Sequence, residues 1–246
     1  MTVRAVVFAY HDVGVRCLSV LLAHGVEVAL VVTHRDDPKE NIWFASVERL
    51  AREHGLETVA PTDPLEVATR VQSIAPDFVF SFYYRHMLPA ALLAAARRGA
   101  YNMHGSLLPR YRGRVPVNWA VINGERETGA TLHEMVARPD AGGIVDQMAV
   151  PILPDDTAHD VFRKVVVASE VVLDRADLFE SRLEGAVFAG ASCRETSFEA
   201  AILKQAKFTK ATLVGANLQR ANLFEAGFQE ADLENADVSD ANLYLS

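Results

Sequence analysis

Cysteine is almost absent: Cys17 and Cys193 are the two in 246 residues. They have no metal-like spacing and form no disulfide framework, which suits a reducing compartment. Neither a G-x-G-x-x-G turn nor a Walker loop occurs, so the dinucleotide and P-loop fingerprints are both missing. His133-Glu134 is not part of an H-E-x-x-H site, and no metal is expected. No apolar run approaches a membrane span, and the run from Val3 to Phe8 after Met1 is too short for a secretory signal. Positive charge is also in deficit. A formal net charge of −8 argues against a general nucleic-acid or anionic-membrane surface. A cytoplasmic protein is the expectation.

What is present is enough for one good core or two modest ones, with 50% hydrophobic and 23% charged residues. Val3 to Ala9 is a continuous apolar run of buried parallel-strand type. Val15, Leu18, Leu21 and Leu22 form a helical stripe, and Gly25 stands where a C-cap is needed. A strand over Val26 to Thr33, a helix over Asn41 to His54 and a short strand near Thr58-Val59 follow. Asp63-Pro64 opens a helix to about Ala75, and Phe78 to Ser81 is a further strand. A helix around Pro89 to Ala96 precedes a strand ending at His104, and another helical run covers Val117 to Ile122. Thr128 to Met135 and Gly143 to Val150 have strand character, and a helix from about Ala158 to Arg175 completes the series. The alternation predicts an α/β class: a Rossmann-like, doubly wound sheet over residues 1–175.

The richest stretch runs from Asn102 to Pro109. Strand alternation aims Asn102 and His104 toward one face, at a carboxyl edge where open α/β sheets hold ligands. An amide donor beside an imidazole suits acyl transfer, since one can hold an oxyanion and the other move a proton. A strand-end Asn capping its turn and a His satisfied in the core is the alternative. Arg110, Arg112 and Arg114 follow, either as a solvated basic loop or as forks for a diphosphate or a carboxylate tail. The loop from Arg138 to Gly143 delivers Asp140. In the first strand-to-helix turn, Tyr10, His11 and Asp12 are bulky and polar, and Asp12 is also placed to cap the helix.

From Ala176 the pattern changes to a period of five. The central position reads Leu178, Leu183, Phe188, Cys193, Phe198, Leu203, Phe208, Leu213, Leu218, Leu223, Phe228, Leu233, Val238 and Leu243. Two residues before each lies Ala, Ser or Thr without exception. Such a period fits neither a helix nor a flat strand. One large side chain per unit fills an axis while the small one also points inward, so Cys193 reads as packing. These units carry eleven acidic and six basic residues, a modest excess for a mimic of DNA.

Asn102-Met103-His104-Gly105-Ser106-Leu107-Leu108-Pro109 resembles the N-x-H-x-S-L-L-P signature of folate-dependent formyltransferases. Gly129 to Met135, continuing through Asp140 to Ile144, resembles that family's second signature. Phe8 to Gly14 and Phe80 to His86 are similar to members that act on UDP-4-amino-4-deoxy-L-arabinose. The resemblance implies transfer of a formyl group from N10-formyltetrahydrofolate to a nucleotide-linked amino sugar, UDP- or dTDP-linked. A non-nucleotide amine is the alternative acceptor. Asn102 would stabilise the oxyanion and His104 would shuttle the proton. Asp140 would raise the histidine's pKa and orient it. His86, Met87, Leu88, Arg114, Val136, Ala137, Arg138, Pro139 and Asp140 match folate-contacting positions. Tyr10, His11 and Asp12 are the expected sugar contacts, because purine-pathway members carry a small Gly/Ser-rich loop there.

The five-residue units of 176–246 resemble pentapeptide-repeat proteins, which wind as a right-handed, four-sided β-solenoid. This solenoid stands where the mixed-β C-terminal domain of sugar and Met-tRNA formyltransferases would begin. Some such solenoids bind topoisomerases in place of DNA, and that is the competing, non-enzymatic role. Val238 and Leu243 lack a covering helix, so a homodimer through the C-terminal coils is expected.

Overall fold

A computed structural model describes residues 3–37, 39–176, 193, 194, 196, 198, 199, 201, 203–244 and 246. Two compact units divide the chain, residues 1–175 and 176–246.

The first unit is built on β1 (Arg4–Ala9), β2 (Glu27–Val32), β3 (Thr58–Val59), β4 (Phe78–Phe82), β5 (Gly99–His104), β6 (Glu127–Glu134) and β7 (Ile144–Pro151). Their order is β3-β2-β1-β4-β5-β6-β7. The first five strands are parallel, and β5–β6 and β6–β7 are antiparallel. The sheet is therefore mixed. Residues 135–143 between β6 and β7 form a hairpin loop too short for a crossover helix, as the tight loop after Arg138 implies.

Helices α1 (His11–Ala23), α2 (Val47–Glu53), α3 (Ala68–Ile74), α4 (Ala90–Leu93), α5 (Pro116–Ile122) and α6 (Ala158–Arg175) flank the strands. Asp63 and Glu66 form a capping box at the 3-10 turn Pro64–Val67 that leads into α3. On α6, Val161, Val165, Val172 and Leu173 recur at helical spacing and are buried. The core strands are apolar throughout, with Val6, Val7, Phe8, Phe80 and Phe82 fully covered.

One element departs from the sequence pattern in a way that matters below. The expected helix over 41–54 starts only at Val47, because Ser46 accepts a hydrogen bond from Arg49 N and caps it. The Asp12 carboxylate accepts from Ala45 N at 2.8 Å, holding residues 41–45 as an irregular strap. Asp12 thus braces the strap and does not cap α1, whose N-cap is Tyr10.

In the second unit, burial follows the period of five. Leu203, Phe208, Leu213, Leu218 and Leu223 are fully buried, as are Ala206, Ala216 and Ala221 two residues before their partners. Each described unit closes a turn, such as Ala206 N to Leu203 O at 3.1 Å, with a left-handed residue such as Gln205 (φ 57) inside it. Residues twenty apart are bridged in parallel: Lys207 with Gly227, Thr212 with Asp232, Asn217 with Asp237 and Asn222 with Asn242. The Phe208 and Phe228 rings stack at 4.9 Å across one such interval. Cys193 is buried in this core, as its central position implies. The units centred on Leu178, Leu183 and Phe188 lie outside the described residues.

Candidate active site

Parallel pairing with β4 and antiparallel pairing with β6 fix β5 from both sides, and the register sets Asn102 opposite His133 and His104 opposite Thr131. Just beyond, the turn after β5 is stitched down by one hydroxyl. Thr131 Oγ1 donates to Ser106 O (2.6 Å) and accepts from Leu108 N (3.2 Å) and Gln147 Nε2 (2.8 Å). Gln147 also donates to Leu108 O at 2.8 Å. Gly105 is needed here because any Cβ would run into the Tyr83 hydroxyl.

A backbone carbonyl only accepts, so the partners assign the histidine tautomers. His104 Nε2 donates to Tyr111 O at 2.9 Å, which leaves Nδ1 as the lone-pair nitrogen. That nitrogen faces Asp140 Oδ2 at 3.6 Å, too far for a direct hydrogen bond. His133 Nδ1 donates to Glu134 O at 2.8 Å, so its Nε2 accepts from Asn102 Nδ2 at 3.1 Å. The amide of Asn102 is thereby oriented, and its second N–H has no partner among the described residues. Asp140 Oδ1 lies 3.5 Å from His133 Nε2, while Oδ2 accepts from Gly113 N at 2.8 Å. One carboxylate thus stands between two imidazoles.

Burial dominates His104 and pulls its pKa below the ordinary 6.5, although Asp140 and the Tyr111 carbonyl both push upward. The expected upward pull of Asp140 is present, but it is outweighed by desolvation. Burial alone would raise Asp140, yet its contacts with His133, His104 and the Gly113 N–H together hold it below the ordinary carboxylate value.

These groups line a cavity of about 830 Å³ in the first unit. Met87, Leu88, Leu93, Met135 and Val136 make an apolar wall on one flank; His11, Trp43, Tyr83, His159 and Phe162 make an aromatic one. Of the positions matched to folate, His86, Met87, Leu88, Arg114, Val136, Pro139 and Asp140 line the cavity. Ala137 and Arg138 do not. Among the expected sugar contacts His11 alone lines it. Tyr10 is only 4% exposed and donates to Asp36 at 2.8 Å, with the Arg85 guanidinium 4.6 Å over its ring. Burial, seconded by Asp36, pushes the Tyr10 phenol up to about 12. Tyr10 and Asp12 therefore hold the loop beside the cavity from behind, and their polar groups are spent on the protein.

Backbone strain collects at this place. His11 (φ 67), Tyr83 (φ 56), Tyr111 (φ 55), Val115 (φ 49) and Asp140 (φ 48) are all left-handed without being glycine. In the first unit's described residues Ala75 is the one other case. A β-branched residue such as Val115 is held there only by a surrounding that over-determines it, which is the habit of ligand sites.

Sequence reasoning missed His133, Trp43, His159 and Phe162. His133 was visible in a signature block but was weighed only as a metal ligand. No group of three or more potential metal ligands occurs among the described residues, and no described helix is long and apolar enough to cross a membrane.

The formyl transferase family model matches residues 16–176, which include Asn102, His104 and Asp140, and the chain belongs to that family. A pentapeptide-repeat model matches residues 169–205 and 201–240. Glycinamide ribonucleotide transformylase 1 from Symbiobacterium toebii is similar in structure, with 25% identity, a TM-score of 0.62, and coverage of 71% of this chain and 85% of that one. A formyltetrahydrofolate deformylase from Pseudomonas syringae pv. tomato has 25% identity and a TM-score of 0.61, over 72% of this chain and 60% of its own. The sugar 3N-formyl transferase WlaRD, solved with dTDP and 5-N-formyl-THF, shares the fold at 22% identity and a TM-score of 0.57, over 71% of this chain and 61% of its own.

The Thr131 hydroxyl serves three partners in a fully buried place. Thr131→Val keeps the shape and strands those groups, so it should destabilise the first unit by about 1–3 kcal/mol. Urea denaturation followed by circular dichroism measures this, and formyl transfer should fall with it as the turn beside His104 loosens.

Proposed function

We propose that the chain transfers a formyl group from N10-formyltetrahydrofolate to the primary amine of a nucleotide-linked amino sugar. The observation that carries this reading is the convergence of Asn102, His104 and Asp140 on one cavity in a member of the formyl transferase family. The apolar wall of Met87, Leu88, Met135 and Val136 fits a flat pterin, and Arg114, without an ion pair among the described residues, fits its glutamate tail. As co-substrate, the folate supplies the activated formyl group. The neutral amine attacks the formyl carbon, and the carbonyl oxygen becomes an oxyanion. Asn102 offers this oxygen the free N–H of its oriented amide. His104 Nδ1 takes the proton that leaves the amine and, as the oxyanion collapses and the bond from the formyl carbon to N10 breaks, passes it to the departing N10. Once protonated, Nδ1–H faces the Asp140 carboxylate, so this contact strengthens as charge develops and favours the transition state over the ground state.

On the acceptor side, a His11–Trp43 wall replaces any small anion-binding loop. That favours an uncharged, cyclic acceptor portion over the phosphate of a ribonucleotide. Incubation with N10-formyltetrahydrofolate and a panel of UDP- and dTDP-linked amino sugars, read by mass spectrometry, tests the reading. A formyl mass gain on a nucleotide sugar is expected. Formate release with every acceptor unmodified would instead make the chain a deformylase.

The acid limb of kcat/KM should lie below pH 6.5, because His104 must be unprotonated and burial lowers its pKa. Asp140→Asn removes an upward pull, so the limb should move to still lower pH while kcat drops. His104→Ala should lose about 10²–10⁴ in kcat, and Asn102→Ala about 10²–10³. Near-normal turnover in His104→Ala would contradict its role.

The second unit, on the same reading, winds as a right-handed, four-sided β-solenoid and joins two copies of the chain. The parallel bridges between residues twenty apart support the winding. The exposed Leu233, Val238, Leu243 and Tyr244 support the contact. Light scattering on Leu243→Lys should report a monomer; a variant that stays dimeric removes the solenoid as the dimer contact.

A further inference from the structure

The strap 41–45 and the first residue of α1 build a second, chemically distinct surface in the cavity. Trp43 is 50% exposed, although His11 (4.7 Å), Phe44 (5.8 Å), His159 (4.8 Å) and Phe162 (5.7 Å) all meet it edge to face. Its indole is fixed by four rings and still half open. The His11 ring stacks on Phe44 at 3.9 Å, and its Nδ1 accepts from Asp12 N at 2.9 Å. The imidazole proton is therefore on Nε2, and that N–H has no partner among the described residues. A strained backbone and a stacked ring hold one unused donor beside a half-exposed indole.

Charge decides what this surface takes. Burial holds the His11 pKa down at about 4, so the ring is neutral at physiological pH. The Asp12 carboxylate stands 3.6 Å from His11 Nδ1 and would repel a phosphate. The nearest cation, Arg85, is paired with Glu40, so the His11–Trp43 surface itself suits a neutral ligand with an apolar face and an oxygen acceptor. The surface is also close to the reacting centre. Phe162, 4.9 Å from the His11 ring, packs 5.8 Å from Tyr83, whose hydroxyl abuts Gly105 next to His104. In a nucleotide-linked amino sugar the ring bearing the amine lies nearest to His104, and the base is a diphosphate away.

We propose that Trp43 and His11 form the subsite for the acceptor's sugar ring, the indole packing on its C–H face and His11 Nε2–H donating to a ring or hydroxyl oxygen. This rests on the amino-sugar reading above. Aromatic packing and one hydrogen bond are each worth roughly a ten-fold change in affinity at such a site.

Calorimetry with the panel of UDP- and dTDP-linked amino sugars, and with UDP and dTDP alone, tests the subsite. His11→Phe keeps the ring and removes the donor; Trp43→Ala removes the platform. Each variant should bind the sugar nucleotide about ten-fold more weakly, with UDP, dTDP and folate affinities unchanged. Trp43→Phe should restore most of the loss. Equal loss for the sugar nucleotide and the free diphosphate, or no loss at all, would overturn the subsite while leaving the amino-sugar reading intact. A wild-type protein that binds no sugar nucleotide would overturn both.

Discussion

The hydrogen bond from His104 Nε2 to the Tyr111 carbonyl decides what the site can do. It commits one imidazole nitrogen to donating and leaves the other, Nδ1, unprotonated and facing a carboxylate. Tyr111 can offer its carbonyl because the loop after β5 turns back through left-handed residues, Tyr111 itself among them. That loop is in turn pinned to β6 by Thr131 and to Asp140 by the Gly113 N–H. The place of Asp140 also depends on this folded-back loop, whereas the Asn102–His133 pair is set by strand register. Asp140 meets His104 and His133 only because Gly113 holds its carboxylate between them.

The electrostatic balance is suited to proton transfer. A buried imidazole resists protonation, whereas the adjacent carboxylate rewards it. The first effect keeps His104 free to accept a proton at neutral pH. The second would stabilise an imidazolium formed there. Burial and counter-charge thus favour opposite protonation states of the ring, and at 3.6 Å the Nδ1 to Oδ2 pair makes no direct hydrogen bond.

Much of this was legible in the chain. Alternation along Tyr101 to His104 indicates that Asn102 and His104 share a face, and the two signature blocks bring in Asp140. The period of five is legible because one large and one small residue in each unit must both face inward, as Leu213 and Ala211 do. Other features required the tertiary structure. Residues 41–54 carry a helical pattern that says nothing of the Ala45 to Asp12 bond, so the strap bearing Trp43 was hidden. The bulk of Tyr10 and Asp12 was readable but their partners, Asp36 and Ala45, were not. His133 matters through antiparallel register with Asn102, and which strand pairs with which is not read from the alternation within one run. The direction of the His104 shift depended on burial, which no local motif reports.

The assignment of His104 Nδ1 as the base is open to direct observation by ¹⁵N NMR of histidine-labelled protein. At pH 7 the account predicts a neutral His104 with its proton on Nε2 and an unprotonated Nδ1. A doubly protonated ring at that pH, or a proton resident on Nδ1, would contradict it.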